Sequence, residues 1–156
     1  MSMRAMPLLS WDIYIQHYHK HLKQIEKESE LEQVNELAEK FNWKNDMNTL
    51  INESEYEAIV VTDINQKIIW VNNGFTEMTG YSKKFAVNKR PSFLQGARTS
   101  EKTKNIIREN IKKDISFKEV IINYKKDKTP YVCEVQIIPL YGEETTHYIA
   151  LEKKVG

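Results

Sequence analysis

The sequence predicts an α+β fold behind an N-terminal helical extension. Three observations carry that prediction. The composition changes near residue 54: the stretch before it is rich in Glu, Lys, Gln and Leu, with one proline (Pro7) and no glycine, and the stretch after it is punctuated by Gly and Pro. Apolar residues recur at helical spacing before the change. After it come short β-branched runs, ending in three consecutive strand-like segments. The reading is therefore a helical extension over 1–53, for packing or dimerisation, and a folded domain over 54–156.

In the extension, Ser10 or Asp12 is suited to cap a helix. Trp11, Ile15, Tyr18, Leu22 and Ile25 then lie on one helical face at alternating spacings of four and three. After Ile25 the phase slips, and Leu31, Val34, Ala38 and Phe41 form a second seam. Two helices, or one with a shifted stripe, satisfy this pattern. A continuous coiled coil does not, because heptads must persist for about three to four repeats. Asn45 and Asp46 favour a break followed by a short helix through Leu50. Such a stripe must be buried by the domain, a partner or a second copy, and a homodimer is the expected solution.

The folded domain starts with a strand over Ala58–Thr62, a turn at Asp63–Gln66 and a second strand over Lys67–Val71. Asn72 or Asn73 caps a short helix bearing Phe75 and Met78, and Gly80 suits its left-handed C-terminal position. Thr99 and Ser100 open a helix that runs to about Lys113, with Ile106, Ile107 and Ile111 expected to form a buried face. Three strands follow: Phe117–Tyr124, Pro130–Pro139 and Thr146–Lys153. Tyr131, Cys133, Val135 and Ile137 alternate onto one face of the second. Asp127-Lys128 and Gly142 mark the turns.

Within this domain, Asn73-Gly74-Phe75, Thr79-Gly80-Tyr81-Ser82, Phe93-Leu94-Gln95-Gly96, Asn123-Tyr124-Lys125-Lys126-Asp127 and His147-Tyr148-Ile149 occur in an order and spacing that resemble the PAS sensory domains, in particular their LOV branch. The likeness covers about Ala58–Val155. It implies a PAS fold, a five-stranded antiparallel sheet with helices over one face, and ligands between the two. In LOV domains the loop reads Asn-Cys-Arg-Phe-Leu-Gln-Gly, and its cysteine attacks light-excited flavin. Here Arg90, Pro91 and Ser92 stand in the first three places. Gln95 and Asn123 match flavin-contacting positions, whereas Cys133 stands for a ring-contacting asparagine and Glu152 for the glutamine that responds to illumination.

A proline carries no thiol, so the resemblance implies no cysteinyl–flavin photochemistry at this loop. Ser92 lacks the charge of a phosphate-binding arginine. An ionised Glu152 only accepts hydrogen bonds, where an amide both donates and accepts. Together these departures disfavour FMN, and no other cofactor is implied. Candidate ligand-binding residues are Gln95, Asn123, Cys133 and Glu152, each with a plainer alternative. Gln95 and Asn123 can satisfy each other, Cys133 can be a small core residue, and Glu152 can be an exposed or ion-paired strand end. Trp70 and Tyr131 are candidates to fill the space a cofactor would take.

The totals narrow the functional classes. A formal net charge of +1 in 156 residues gives no global case for nucleic acid or an anionic membrane. Lys102, Lys104, Arg108, Lys112 and Lys113 read as a solvated helix face, without the interleaved aromatics that stack bases. His17, His19 and His21 read as solvated, with no nearby acidic or cysteine ligand to complete a metal site. A single cysteine forbids an internal disulfide and fits a reducing compartment. No apolar run approaches the ~20 residues that span a bilayer, and Met1–Ser10 lacks a signal-peptide core. A cytoplasmic, non-catalytic sensory or signal-relay module is expected, binding a small molecule or a protein partner. Two alternatives stand beside it: a ligand-free interaction and dimerisation module whose core has no pocket larger than a few waters, and a cysteine-less flavin photoreceptor.

Overall fold

The computed structural model describes residues 8–156, so Pro7 and most of the Met1–Ser10 stretch lie outside the described residues. The chain runs α1 (Leu8–Phe41), α2 (Met47–Asn52), β1 (Ala58–Asp63), β2 (Ile68–Val71), α3 (Asn73–Thr79), α4 (Lys83–Ala86), a 3-10 turn (Pro91–Leu94), α5 (Glu101–Lys112), β3 (Phe117–Tyr124), β4 (Pro130–Tyr141) and β5 (Thr145–Lys154). Its five strands form one antiparallel sheet in the order β2-β1-β5-β4-β3. This is the sheet that the sequence implied. Among the described residues, no helix is long and apolar enough to cross a membrane.

Local chemistry sets the element ends. Asp46 caps α2 by accepting from the Thr49 amide. Asn72, rather than Asn73, caps α3 and accepts from the amide of Phe75. Gly80 closes that helix at φ +81°, a left-handed conformation in which a side chain would be strained. Ser100 caps α5 through the Thr103 amide. In the β1–β2 turn, the Asp63 carboxylate accepts from the amides of Asn65 and Lys67. Asp127 orders the β3–β4 turn by accepting from Thr129.

One sequence expectation fails at the start of α1. Ser10 and Asp12 lie inside the helix, which has already begun at Leu8, so neither is its cap. The shifted-stripe alternative is the observed one: a single helix of 34 residues spans both seams.

The two seams of α1 have different surroundings. Leu31, Val34, Leu37, Ala38 and Phe41 lie on the outer face of the sheet and share a core with Trp43, Met47, Ile51, Ile59, Val61, Leu140, Ile149 and Leu151. By contrast, every residue from Ser10 to Ile25 is exposed, including Trp11, Ile15, Tyr18 and Leu22. At 1.5 Å per residue, that stretch extends about 24 Å past the domain. The phase slip after Ile25 falls where the helix meets the sheet.

Polar contacts fix this docking. Glu30 is buried and accepts from Tyr56 Oη and Asn72 Nδ2, both at 2.9 Å. Burial raises its pKa, opposed by those two bonds. Asn72 Oδ1 also accepts from the Ile59 amide at 2.8 Å, so one amide ties β1, the start of α3 and α1 together. Trp70 donates to Gln33 of α1 at 3.2 Å. Trp70 therefore faces outward and fills none of the cofactor-side volume. Its partner in register is Val61, an outer-core residue, and alternation places both on that face. Asn45 fastens the α1–α2 connection to β4 by donating to the Pro139 carbonyl and accepting from the Tyr141 amide.

Candidate functional site

The inner face of the sheet carries a second core. Ala58, Val60, Val71, Ile121, Tyr131, Cys133 and Val135 meet Phe75, Met78, Ala86 and Leu94 from the short helices and the 3-10 turn. Gly74 is required for this approach, because a methyl there would overlap the Glu57 carbonyl oxygen. Gly96 is required too, since the Tyr124 ring lies against it and the Tyr124 hydroxyl accepts from the Arg98 amide. The aromatic trio Tyr81, Phe85 and Phe93 braces the loop, with ring centroids 4.8 to 5.7 Å apart.

Under α5 this packing is incomplete. The sequence predicted a buried Ile106/Ile107/Ile111 face, yet all three are only half-buried and α5 has no fully buried residue. The reason is a cleft of about 430 Å³ between α5 and the sheet, bordered by Ile107 and Ile111. Val60, Val135, Ile137 and Ala150 supply its apolar floor and Leu94 part of its roof. Among the described residues there are larger hollows elsewhere on the surface, the largest lined by charged groups such as Lys23, Glu26, Lys27 and Glu77. The cleft combines two facing apolar walls with converging polar side chains, which is the usual character of a small-molecule site.

Gln95, Asn123 and Glu152 all line the cleft. No hydrogen bond joins the two amides, so they do not satisfy each other. Cys133 is set apart: it is fully buried behind the lining, with Sγ 4.0 Å from Glu152 Oε2. Burial, then the charge of Glu152, pushes its thiol pKa up, away from reactivity. Pro91 and Ser92 border the cleft, with no thiol between them. Tyr131 is buried beside Cys133 in the inner core but not on the cleft wall, and among the described residues its hydroxyl makes no well-formed hydrogen bond, with the Asn123 amide its nearest side-chain partner.

Glu152 is the unexpected member. The plainer expectation of an exposed or ion-paired strand end is overturned, because its side chain points inward and it is only 5% exposed. It pairs in register with Ala58 and Val135, both inner-core residues. Its one close polar contact is the weak Cys133 thiol. Burial pushes its pKa up to about 7.

Six polar residues of the lining escaped the sequence reading as ligand contacts. Thr62, Gln66, Arg90, Lys104, Arg108 and Tyr148 all border the cleft. Lys104 and Arg108 were read as a solvated face. Their spacing of four, interleaved with Ile107 and Ile111, was the available signal, because it puts them along the edge of the apolar stripe. Lys104 pairs with Glu101 at 3.0 Å, and Arg108 donates to neutral Asn105 at 2.7 Å. Tyr148 donates to Asp114 at 3.0 Å, and burial, then this partner, raises its pKa to about 12. His17, His19 and His21 are exposed along α1.

Strand geometry orients the cleft. Tyr148, Ala150 and Glu152 alternate along β5, about 13 Å from first to last. Tyr148 stands opposite Thr62 at one end, where the β1–β2 turn brings Gln66. Glu152 stands at the other. Basic groups therefore flank a cleft whose one inner carboxyl lies at its far end.

Comparison with known proteins gives a consistent result. A model of the PAS domain family matches residues 57–152. A blue-light photoreceptor of Listeria monocytogenes is 35% identical over 102 residues, covering 63% of this chain and 40% of that protein. A blue-light-activated histidine kinase of Erythrobacter litoralis is 34% identical over 92 residues, covering 57% of this chain and 26% of that protein. This chain thus matches less than half the length of either relative. Among solved structures, the LOV domain from a blue-light-activated histidine kinase of Erythrobacter litoralis aligns with a TM-score of 0.62 at 25% identity, covering 66% of this chain and 99% of that one. The dark structure of the blue-light photoreceptor Aureochrome1 LOV aligns with a TM-score of 0.67 at 23% identity, covering 72% and 85%, and bears on the fold alone.

Proposed function

The chain belongs to the PAS domain family, and from that membership we propose that it is a non-catalytic sensory and signal-relay module whose cleft binds a small molecule. The observation that carries this reading is the cleft itself: two apolar walls, inward Gln95, Asn123 and Glu152, and a rim with Arg90, Lys104 and Arg108. A ligand with a flat apolar body and an anionic substituent matches that lining. A core without a cleft would have favoured the ligand-free module.

Flavin needs separate weighing. The named blue-light photoreceptors among the relatives count against the expectation from the sequence that FMN is disfavoured. Gln95 and Asn123 would face such a ring, and the basic rim suits a phosphate. Glu152, when ionised, does not suit a carbonyl-rich ring edge. Pro91 supplies no thiol, so this loop forms no cysteinyl adduct with a flavin that binds there. The test is absorbance and native mass spectrometry of freshly purified protein. A ligand mass released on denaturation supports the reading, and yellow absorbance identifies the ligand as flavin. Bare protein that gains no ligand from a metabolite extract overturns it.

The proposed relay runs from the cleft (in 54–156) through the sheet to the extension (1–53). What favours it is the thinness of the connection: Ile149 and Leu151 touch the α1 side, and their neighbours Tyr148, Ala150 and Glu152 line the cleft. The exposed Trp11–Ile25 stripe supports homodimerisation through α1. Sedimentation of the paired substitutions Ile15→Glu and Leu22→Glu is expected to give monomers, and an unchanged dimer would remove α1 from the interface.

A further inference from the structure

The far end of the cleft is built around a carboxyl group in a place that offers it little. Glu152 is 5% exposed, and among the described residues its side chain has only the Cys133 thiol within hydrogen-bonding reach, at 4.0 Å. Among the described residues, no lysine or arginine pairs with it. The basic residues of the lining come from α5 and from the loop before the 3-10 turn, whereas Glu152 lies on the sheet in register with Ala58 and Val135. A buried carboxyl whose one donor is a weak thiol is costly to ionise, and a ligand that supplies stronger donors recovers that cost.

The neighbouring groups restrict what the ligand can be. The facing walls, Val60, Val135 and Ala150 against Leu94 and Ile107, favour a flat ring between them. Gln95 and Asn123 each donate and accept, so they tolerate either kind of ring edge. Glu152 does not. Its ionised carboxylate has two acceptor oxygens and matches two adjacent N–H donors, as in an amino-substituted pyrimidine edge whose neighbouring ring nitrogen has taken the Glu152 proton. It opposes a carbonyl.

We propose that Glu152 makes this cleft selective for planar heteroaromatic ligands whose inner edge presents N–H donors, and disfavours rings whose inner edge presents carbonyls. This rests on the reading of the cleft as a ligand site. It goes beyond that reading by naming the edge chemistry and the residue that chooses it.

A matched pair of probes tests the selectivity. 2,4-Diaminopteridine and lumazine share one ring system and differ in carrying amino or oxo groups at the same two positions, so that lumazine sets its ring N–H groups beside carbonyls. Each is titrated by fluorescence at pH 7.5 into wild type, Glu152→Gln and Ala150→Trp, the last of which fills the cleft. The expected result is at least about tenfold tighter binding of the diamino compound to wild type, the size of one charge-assisted hydrogen bond. Glu152→Gln is expected to reduce or reverse that ratio, and Ala150→Trp to abolish both affinities. An unchanged ratio in Glu152→Gln, or a wild-type preference for lumazine, overturns the selectivity and leaves the cleft reading intact. Failure of both probes to bind wild type also overturns it, while the native-mass experiment on the purified protein judges the cleft reading independently.

Discussion

At the scale of single residues, Glu152 dominates the chemistry. Its folded pKa of about 7 lies above the ordinary 4.5. Between those values the native state holds a proton that the unfolded chain has shed. Its contribution is therefore complete below about pH 4.5 and is lost as pH rises to about 7, by roughly 3 kcal/mol over the window. Glu152→Gln is expected to remove this loss, so urea denaturation at pH 5 and pH 8 should show the variant gaining on wild type at the higher pH. Parallel behaviour would show that Glu152 ionises normally. Gly74 is a second sensitive position. Gly74→Ala forces a methyl into the Glu57 carbonyl and should cost more than about 2 kcal/mol in the same assay. Sequence reasoning singled out both residues. What it lacked for Glu152 was direction: alternation along β5 sorts its residues into two sets, and only the partners across the strand say which set faces the cleft.

At the scale of elements, α1 is two devices in one helix. Residues 10–25 are exposed, so after removal of 1–25 the remaining protein should fold with an altered oligomeric state by sedimentation. Removing residues 1–50 takes away Val34, Trp43 and Met47 from the outer core. At about 1.5–3 kcal/mol for each large apolar side chain, that approaches the ~5–15 kcal/mol stability of a typical domain. The longer truncation should therefore yield unfolded protein by circular dichroism. The end of α1 is also sensitive to acid. Trp43 Nε1 donates to His147 Nδ1 at 3.2 Å, and the imidazole lies 4.3 Å from the Phe41 ring. Burial lowers the pKa of His147. The unfolded chain thus takes up a proton first as pH falls below about 6.5, and stability falls with it. His147→Gln should flatten that acid limb, measured by the urea midpoint between pH 7 and 5. The two seams of α1 were legible as a phase slip. Their separate surroundings were not, because helical periodicity identifies an apolar face without naming what covers it. The same gap explains α5, whose isoleucine face borders a cleft.

At the scale of the whole molecule, one sheet stands between a ligand-sized cleft and a long helix. Asn72 bridges the two sides by capping α3 of the inner layer while donating to Glu30 of the outer one. If occupancy of the cleft is passed on, this bridge is a principal route. Glu30→Ala is expected to loosen α1 without emptying the cleft, so that hydrogen exchange rises in residues 26–41 while probe affinity changes less than threefold. Unchanged exchange would show that apolar packing alone holds the helix. The order of the strands, their ends to within one or two residues, and the presence of a PAS fold could be read from periodicity, turn residues and the Asn-Gly-Phe and Phe-Leu-Gln-Gly segments. The two-sided burial of the sheet could not, because it depends on where a distant helix comes to rest.

That two-sidedness has a consequence for how such a chain can diverge. Consecutive residues of β5 serve different tenants: Tyr148, Ala150 and Glu152 one, Ile149 and Leu151 the other. Inserting or deleting one residue in this strand would exchange the tenants wholesale, sending the carboxylate into the helix-side core and leucine into the cleft. Point substitution can retune either side separately, but an indel in β5 damages both at once. Lineages of this protein should accordingly vary in length at the turns around Asp127 and Gly142 and keep the number of residues in β5 constant.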